Sequence, residues 1–130
     1  MVQSLNTSID LKIRGISYLG LTNYGDIMIG NRAFEFYGNK NIKDYIQIPW
    51  DEVDYFVASV LFKGRWIPRF AIATKKNGTF SFSSRDNKLL LRSVNKYISS
   101  DRMVRSLGFF QVLSRGIVNI FTFGSRKNRA

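Results

Sequence analysis

Of the residue types that carry most enzymatic chemistry near neutral pH, this chain has neither histidine nor cysteine. That removes the imidazole base, the phosphohistidine, the thiolate nucleophile and the Cys/His metal cluster in one step. No Gly-x-Gly-x-x-Gly and no phosphate loop ending in Gly-Lys-Ser/Thr is present either. What remains is charge. Asp51, Glu52 and Asp54 form the one dense acidic group, a set that can hold a hard cation or act as paired carboxylates. The same residues also make a solvated corner turn, where Asp bonds its own backbone, and that reading comes first. Neither a metal nor an organic cofactor is expected. The basic set Lys63, Arg65, Trp66, Arg69, Lys75 and Lys76 interleaves cations with an aromatic ring. It can bind phosphates, with Trp66 stacking or entering an interface; the alternative has Trp66 in the core and the cations in loops.

The charge is unevenly placed. Residues 1–62 hold five basic and seven acidic side chains, or −2, while residues 63–130 hold fifteen basic and two acidic, or +13, giving +11 for the 130 residues. A basic half of this kind points to a polyanionic partner, either an anionic membrane surface or a nucleic acid. No helix-turn-helix is recognisable, which ranks nucleic acid second. The length is that of one domain, and the absence of cysteine fits a reducing compartment. The first residues, Met1 to Thr7, lack the charged head and apolar run of a signal peptide, so a cytoplasmic protein is expected.

The elements that must position these groups follow from hydrophobic period. Around the corner Ile48-Pro-Trp-Asp-Glu-Val53, Ile46, Ile48 and Trp50 alternate with Gln47 and Pro49, and Pro49, lacking an amide hydrogen, marks an edge or a stop. Val53 to Phe62 is apolar on both faces, as a central strand is. Further strands are expected at Ser8 to Tyr18, Ile27 to Ile29, Ala33 to Tyr37, Ile42 to Ile48, Trp66 to Thr74 and Thr79 to Ser83, with Leu21 to Gly25 as a connection. Gly30-Asn31 and Asn77-Gly78 mark tight hairpin turns. Seven short antiparallel strands predict a mainly β, small barrel or sandwich. A helix of about three turns, capped by Ser84 or Asp86 and burying Leu90, Leu91, Val94, Tyr97 and Ile98 with Arg92 and Lys96 outside, closes it.

Met103 to Phe123 then reads as a second amphipathic helix, with Gly108, Gln111, Arg115, Asn119 and Thr122 as a narrow polar stripe. It is too apolar for a surface helix and too charged to span a bilayer, so it is expected to lie in a membrane interface or to be buried against the barrel or a protein partner. Phe109, Phe110, Ile120 and Phe121 are its expected apolar contacts, and Arg102, Arg105 and Arg115 its phosphate or carboxylate contacts. The tail from Ser125 to Arg129 adds three cations and no apolar residue, a composition expected to be disordered on its own. The organisation is therefore residues 1–100 as the β domain with its capping helix, and 101–130 as an amphipathic helix with a basic tail.

Seven strands with a closing helix resemble the layout of pleckstrin-homology (PH) and GRAM-like domains. More specifically, Ser17-Tyr-Leu-Gly-Leu21, Tyr24-Gly-Asp-Ile-Met-Ile-Gly30, Ala33-Phe-Glu-Phe-Tyr37, Asp44-Tyr-Ile-Gln-Ile-Pro-Trp-Asp-Glu-Val-Asp-Tyr55, Phe62-Lys-Gly-Arg-Trp-Ile-Pro-Arg-Phe70 and Met103-Val-Arg-Ser-Leu-Gly-Phe-Phe-Gln-Val112 resemble the ManO proteins of Gram-positive bacteria. The resemblance covers about residues 8 to 118. It implies an accessory or regulatory link to the mannose-class phosphotransferase permease, whose membrane subunits become the expected partner, and a peripheral position on the inner membrane face. It transfers no catalytic residue, and a chain without His or Cys is expected to act by binding.

Overall fold

The computed structural model describes residues 3–41, 43–61 and 66–106. The elements run β1 (Ile9–Ser17), β2 (Asn23–Gly30), β3 (Ala33–Gly38), β4 (Tyr45–Pro49), a 3-10 turn (Trp50–Glu52), β5 (Val53–Leu61), β6 (Trp66–Thr74), β7 (Thr79–Ser84), α1 (Asn87–Val94), a second 3-10 turn (Ser100–Arg102) and β8 (Met103–Ser106). The strands form one mixed sheet in the order β4-β3-β2-β1-β7-β6-β5-β8. Every pairing is antiparallel except β5 with β8, which is parallel. Period-two alternation therefore located seven strands, and two details differ. Asn23 to Gly25 belong to β2, because Gly25 lies between Gly15 and Gly38, where a Cβ would stand 2.1 Å from the Tyr37 carbonyl oxygen. Gly30 likewise ends β2 rather than bending it; an added Cβ would meet the Asn6 side chain at 2.3 Å.

The sheet is open, not the closed barrel that the strand count suggested. β4 and β8 stand at its two edges, with no ladder joining them. It nevertheless folds over on itself. Five strand spacings separate β3 from β5, about 24 Å in a flat sheet, yet the Phe34 ring of β3 lies 6.2 Å from Phe56 of β5. Phe34 also meets Phe70 at 6.0 Å and Phe82 at 4.8 Å. The core is thus an aromatic layer held between β3 and the β5–β7 wing, and burying such rings is the dominant favourable term of this fold. Pro49 stops edge strand β4, as its missing amide hydrogen requires, and the following turn carries the chain to the opposite wing. Trp50 pins that crossing: its indole N–H donates to the Gly30 carbonyl (2.9 Å) and its ring stacks on Tyr97 at 5.3 Å.

Two expectations about the helical segments are corrected. α1 has eight residues, not three turns; Tyr97 and Ile98 still turn inward, through a tightened last turn in which the Tyr97 amide bonds the Val94 carbonyl at 2.8 Å. Met103 to Ser106, expected to begin a second helix, is strand β8, pairing Phe56 with Met103 through Ser59 with Ser106. β5 offers an unpaired edge beside the point where the 3-10 turn delivers the chain, and those backbone bonds override the helical period. The remainder of the proposed Met103–Phe123 helix and the basic tail lie outside the described residues.

Among the described residues, Glu35 is the one charged side chain buried completely, at 0 % exposure. It sits on the outer face of β3, where residues 3–6 cross it. Its Oε1 accepts from Ser4 Oγ (2.6 Å) and Asn6 Nδ2 (3.0 Å); its Oε2 accepts from the Leu5 amide (2.7 Å) and Gln47 Nε2 (3.1 Å). Four donors on two oxygens compensate the burial of the carboxylate.

Candidate ligand cleft

α1 begins where its sequence says it should. Asp86 is extended, and its carboxylate accepts from the Leu89 amide at 3.1 Å, satisfying one orphan donor of the first turn. Asn87 then locks the helix start to two strands: its Oδ1 accepts from the amide and hydroxyl of Ser84, both at 2.7 Å, and its Nδ2 donates to the Ile67 carbonyl at 2.6 Å. With Leu90 and Val94 in the core, the helix presents Lys88, Leu91, Arg92 and Asn95 as a second stripe at i, i+3, i+4 and i+7.

That stripe is one wall of a cleft of about 470 Å³, and the β5–β8 edge is the other. Phe56, Ala58, Ile67, Leu91 and Met103 make an apolar floor. Lys88, Arg92 and Arg105 supply cations, and Asn95 and Ser100 supply neutral polar groups. Register places Arg105 opposite Ala58, on the core-side face of β5, so it faces the helix across the gap. A second hollow of about 380 Å³ shares Ile67 and Lys88 with the first and extends it past Trp66, Arg85 and Asp86.

No carboxylate lines the main cleft. All nine acidic residues of the chain lie within the described segments, and the ion pairs found there are elsewhere: Arg14 with Asp26 at 3.0 Å and Lys96 with Asp10 at 3.4 Å. Among the described residues, Lys88, Arg92 and Arg105 therefore have no carboxylate partner. The Asp10 cluster sits where β1 meets the end of α1. The hydrogen bond from the Tyr97 hydroxyl, with Lys96 beside it, holds the Asp10 carboxyl below the usual carboxylate range, and the same contacts raise Tyr97 and Lys96.

The residues singled out from sequence do not form one surface. Arg105 lines the cleft. Arg102 is turned to a structural task, its Nε donating to the Asp54 carbonyl at 3.0 Å and its Nη2 to the Val53 carbonyl, so that it ties the turn before β8 to the start of β5. Trp66, 52 % exposed, borders the second hollow. Lys75 and Lys76 lie past the other end of β6, about 30 Å away along an extended strand, and the Arg69 guanidinium stands 4.0 Å over the Tyr18 ring. The expected basic hairpin face is thus divided. Lys63, Arg65, Phe109, Phe110, Arg115, Ile120 and Phe121 lie outside the described residues. Asp51 and Glu52 are exposed in the corner turn, where the Glu52 carbonyl accepts from the Lys75 amide at 3.0 Å. No set of three acidic, His or Cys groups suited to a metal occurs among the described residues. Sequence reading missed Lys88 and treated Arg92 as a solvated outer position; the visible signal was an i, i+4 cation pair beside the buried Leu91. No described helix is long and apolar enough to cross a membrane.

The fold is similar to a crystal structure titled as the C-terminal domain of an unknown protein from Leishmania infantum. The TM-score is 0.61 at 13 % identity, over 69 % of this chain and 83 % of that one, a likeness of fold alone. No curated protein matches the chain. The family described as a domain of unknown function, DUF956, matches residues 1–117, and the protein belongs to that family.

Proposed function

We propose that the protein is a non-catalytic accessory module that docks at the inner membrane face, on the membrane subunits of a mannose-class phosphotransferase permease and the anionic lipid around them, and modulates sugar uptake. The observation that carries the reading is the concentration of cations without an ion-pair partner among the described residues, Lys88, Arg92 and Arg105, with Arg85 and the capping Asp86 beside them, on the side of the fold where β8 ends. An excess of +13 in residues 63–130 supports an anionic counterpart, and the likeness to ManO proteins supports the choice of permease. A PH/GRAM-like assignment is part of the proposal; the β4-β3-β2-β1-β7-β6-β5 order followed by a helix supports it. The test is recovery of permease membrane subunits by tagged protein from detergent-solubilised membranes, comparing cells with and without the permease. Recovery that disappears when the chain is ended after Ser106, a cut that keeps β8 in the sheet, is the expected result. Recovery of neither permease nor anionic vesicles, with salt-sensitive retention of DNA instead, would overturn the reading.

A further inference from the structure

We propose that the cleft between α1 and the β5–β8 edge binds an amphiphilic phosphate: a phosphomonoester head held by Lys88, Arg92 and Arg105, with a single apolar chain on the floor made by Phe56, Ile67, Leu91 and Met103. The inference goes beyond docking at the permease, because it names a ligand chemistry for a concave site and stands or falls independently of any protein partner.

Three features lead to it. The first is electrostatic. Lys88 and Arg92 lie one helical turn apart, and Arg105 faces them from β8; among the described residues no carboxylate lines this cleft, the nearest being Asp86 in the adjoining hollow. Like charges gathered around one hollow repel, and an anionic ligand turns that repulsion into attraction. The second is the donor set. A phosphomonoester carries about two negative charges and three acceptor oxygens at neutral pH. Two guanidiniums and an ammonium match it better than they match a carboxylate with two oxygens. The third is the floor. A head group alone would be served by a polar surface, whereas this cleft is apolar below its cations, and its volume of about 470 Å³ lies in the usual small-molecule range of about 300–1,000 Å³. Apolar below and cationic above is the polarity of a lipid phosphate.

The site is also rigidly made. Asn87 fixes the helix start to β6 and β7, and Arg102 fixes the turn preceding β8 to β5. Both cleft walls are therefore positioned by hydrogen bonds that do not use the ligand-facing cations, which is the arrangement a preformed site needs.

Calorimetric titration of the full chain with a short-chain lysophosphatidic acid, kept below its micelle concentration, tests the proposal. Glycerol 3-phosphate supplies the head without the chain, and the matching monoacylglycerol supplies the chain without the head. The expected result is saturable one-to-one binding of the lysophospholipid, with each half-ligand at least about ten-fold weaker. Lys88→Gln, Arg92→Gln and Arg105→Gln should each weaken it about five-fold, consistent with one partly exposed charge-assisted contact. The double variant Lys75→Gln/Lys76→Gln, at the far end of β6, should bind as wild type. Lys88, Arg92 and Arg105 are exposed, and an unchanged thermal midpoint separates lost binding from lost folding. Equal binding by glycerol 3-phosphate would refute the apolar subsite, and equal binding by the monoacylglycerol would refute the phosphate subsite. Vesicles of phosphatidylcholine with phosphatidic acid complete the test: adsorption to them without binding of the monomeric lipid, or unchanged affinity in the three glutamine variants, would overturn the cleft as the site.

Discussion

Replacing Glu35 by glutamine keeps the shape of the side chain and removes one acceptor oxygen from a fully buried cluster. The four donors come in two pairs, Ser4 Oγ with Asn6 Nδ2 on one oxygen and the Leu5 amide with Gln47 Nε2 on the other. Whichever way the new amide is turned, its NH2 meets at least one of them donor to donor. Asn6 cannot turn its own amide to help, because its Oδ1 already accepts from the amides of Arg32 (2.7 Å) and Ala33 (2.8 Å). The better orientation sets the NH2 towards Ser4, whose hydroxyl can accept, and leaves one N–H of Asn6 Nδ2 without an acceptor while the other stays on the Ala33 carbonyl (3.1 Å). One buried donor without a partner, together with the weakening of three charge-assisted bonds to neutral ones, amounts to about 3 kcal/mol. Against a total stability of roughly 5–15 kcal/mol this is a large fraction, and it should lower the thermal midpoint by roughly 10 °C. Urea unfolding followed by circular dichroism measures the loss, and hydrogen exchange at the Leu5 amide shows whether residues 3–6 have lifted from β3. A loss under about 1 kcal/mol, with Leu5 still protected, would refute the view that Glu35 holds this segment down.

Two further perturbations follow from the same contacts. Arg102→Gln removes the guanidinium that bonds the Val53 and Asp54 carbonyls, and should destabilise the fold by about 2 kcal/mol while raising amide exchange selectively along β8; uniform exchange across the sheet would show that Arg102 does not act on β8. For Asp10, whose folded value is depressed, the stabilising contact with Tyr97 and Lys96 is present above about pH 4 and lost as pH falls through the folded value. The raised values of Lys96 and Tyr97 keep their side of the contact until the solution is strongly alkaline, above about pH 10. Asp10→Asn should therefore leave a shallower fall in urea midpoint between pH 5 and pH 3 than the wild type shows; identical acid limbs would assign that fall to other carboxylates.

Much of the β domain is legible in the chain because its signals are local. Alternation of two located the strands, Pro49 marked the end of an edge strand, and Asp86 stood where a helix needs a capping acceptor. Each depends on residues within a few positions of one another. β8 illustrates the opposite case. Met103 to Ser106 reads as the start of a helix when only its own period is considered, and it becomes a strand because the distant β5 edge supplies backbone partners. Glu35 looks like the solvent side of an alternating strand until residues 3–6, thirty positions earlier, cover it and bring four donors.

The candidate site divides along the same line. Its charge was visible, since the second half carries +13 wherever its side chains fall. Which cations share one surface was not. Lys75 and Lys76 are near neighbours of Trp66 along the chain, yet an extended strand of nine residues carries them to the far end of the sheet. Lys88 and Arg105 are seventeen positions apart and line one cleft because α1 and β8 both pack against the β5–β6 wing. Residue types and periods determined seven of the strands, the cap and the sign of the field. Only tertiary structure decided the open curled sheet, the burial of Glu35 and the convergence of Lys88, Arg92 and Arg105, because each depends on long-range pairing that no local spacing encodes.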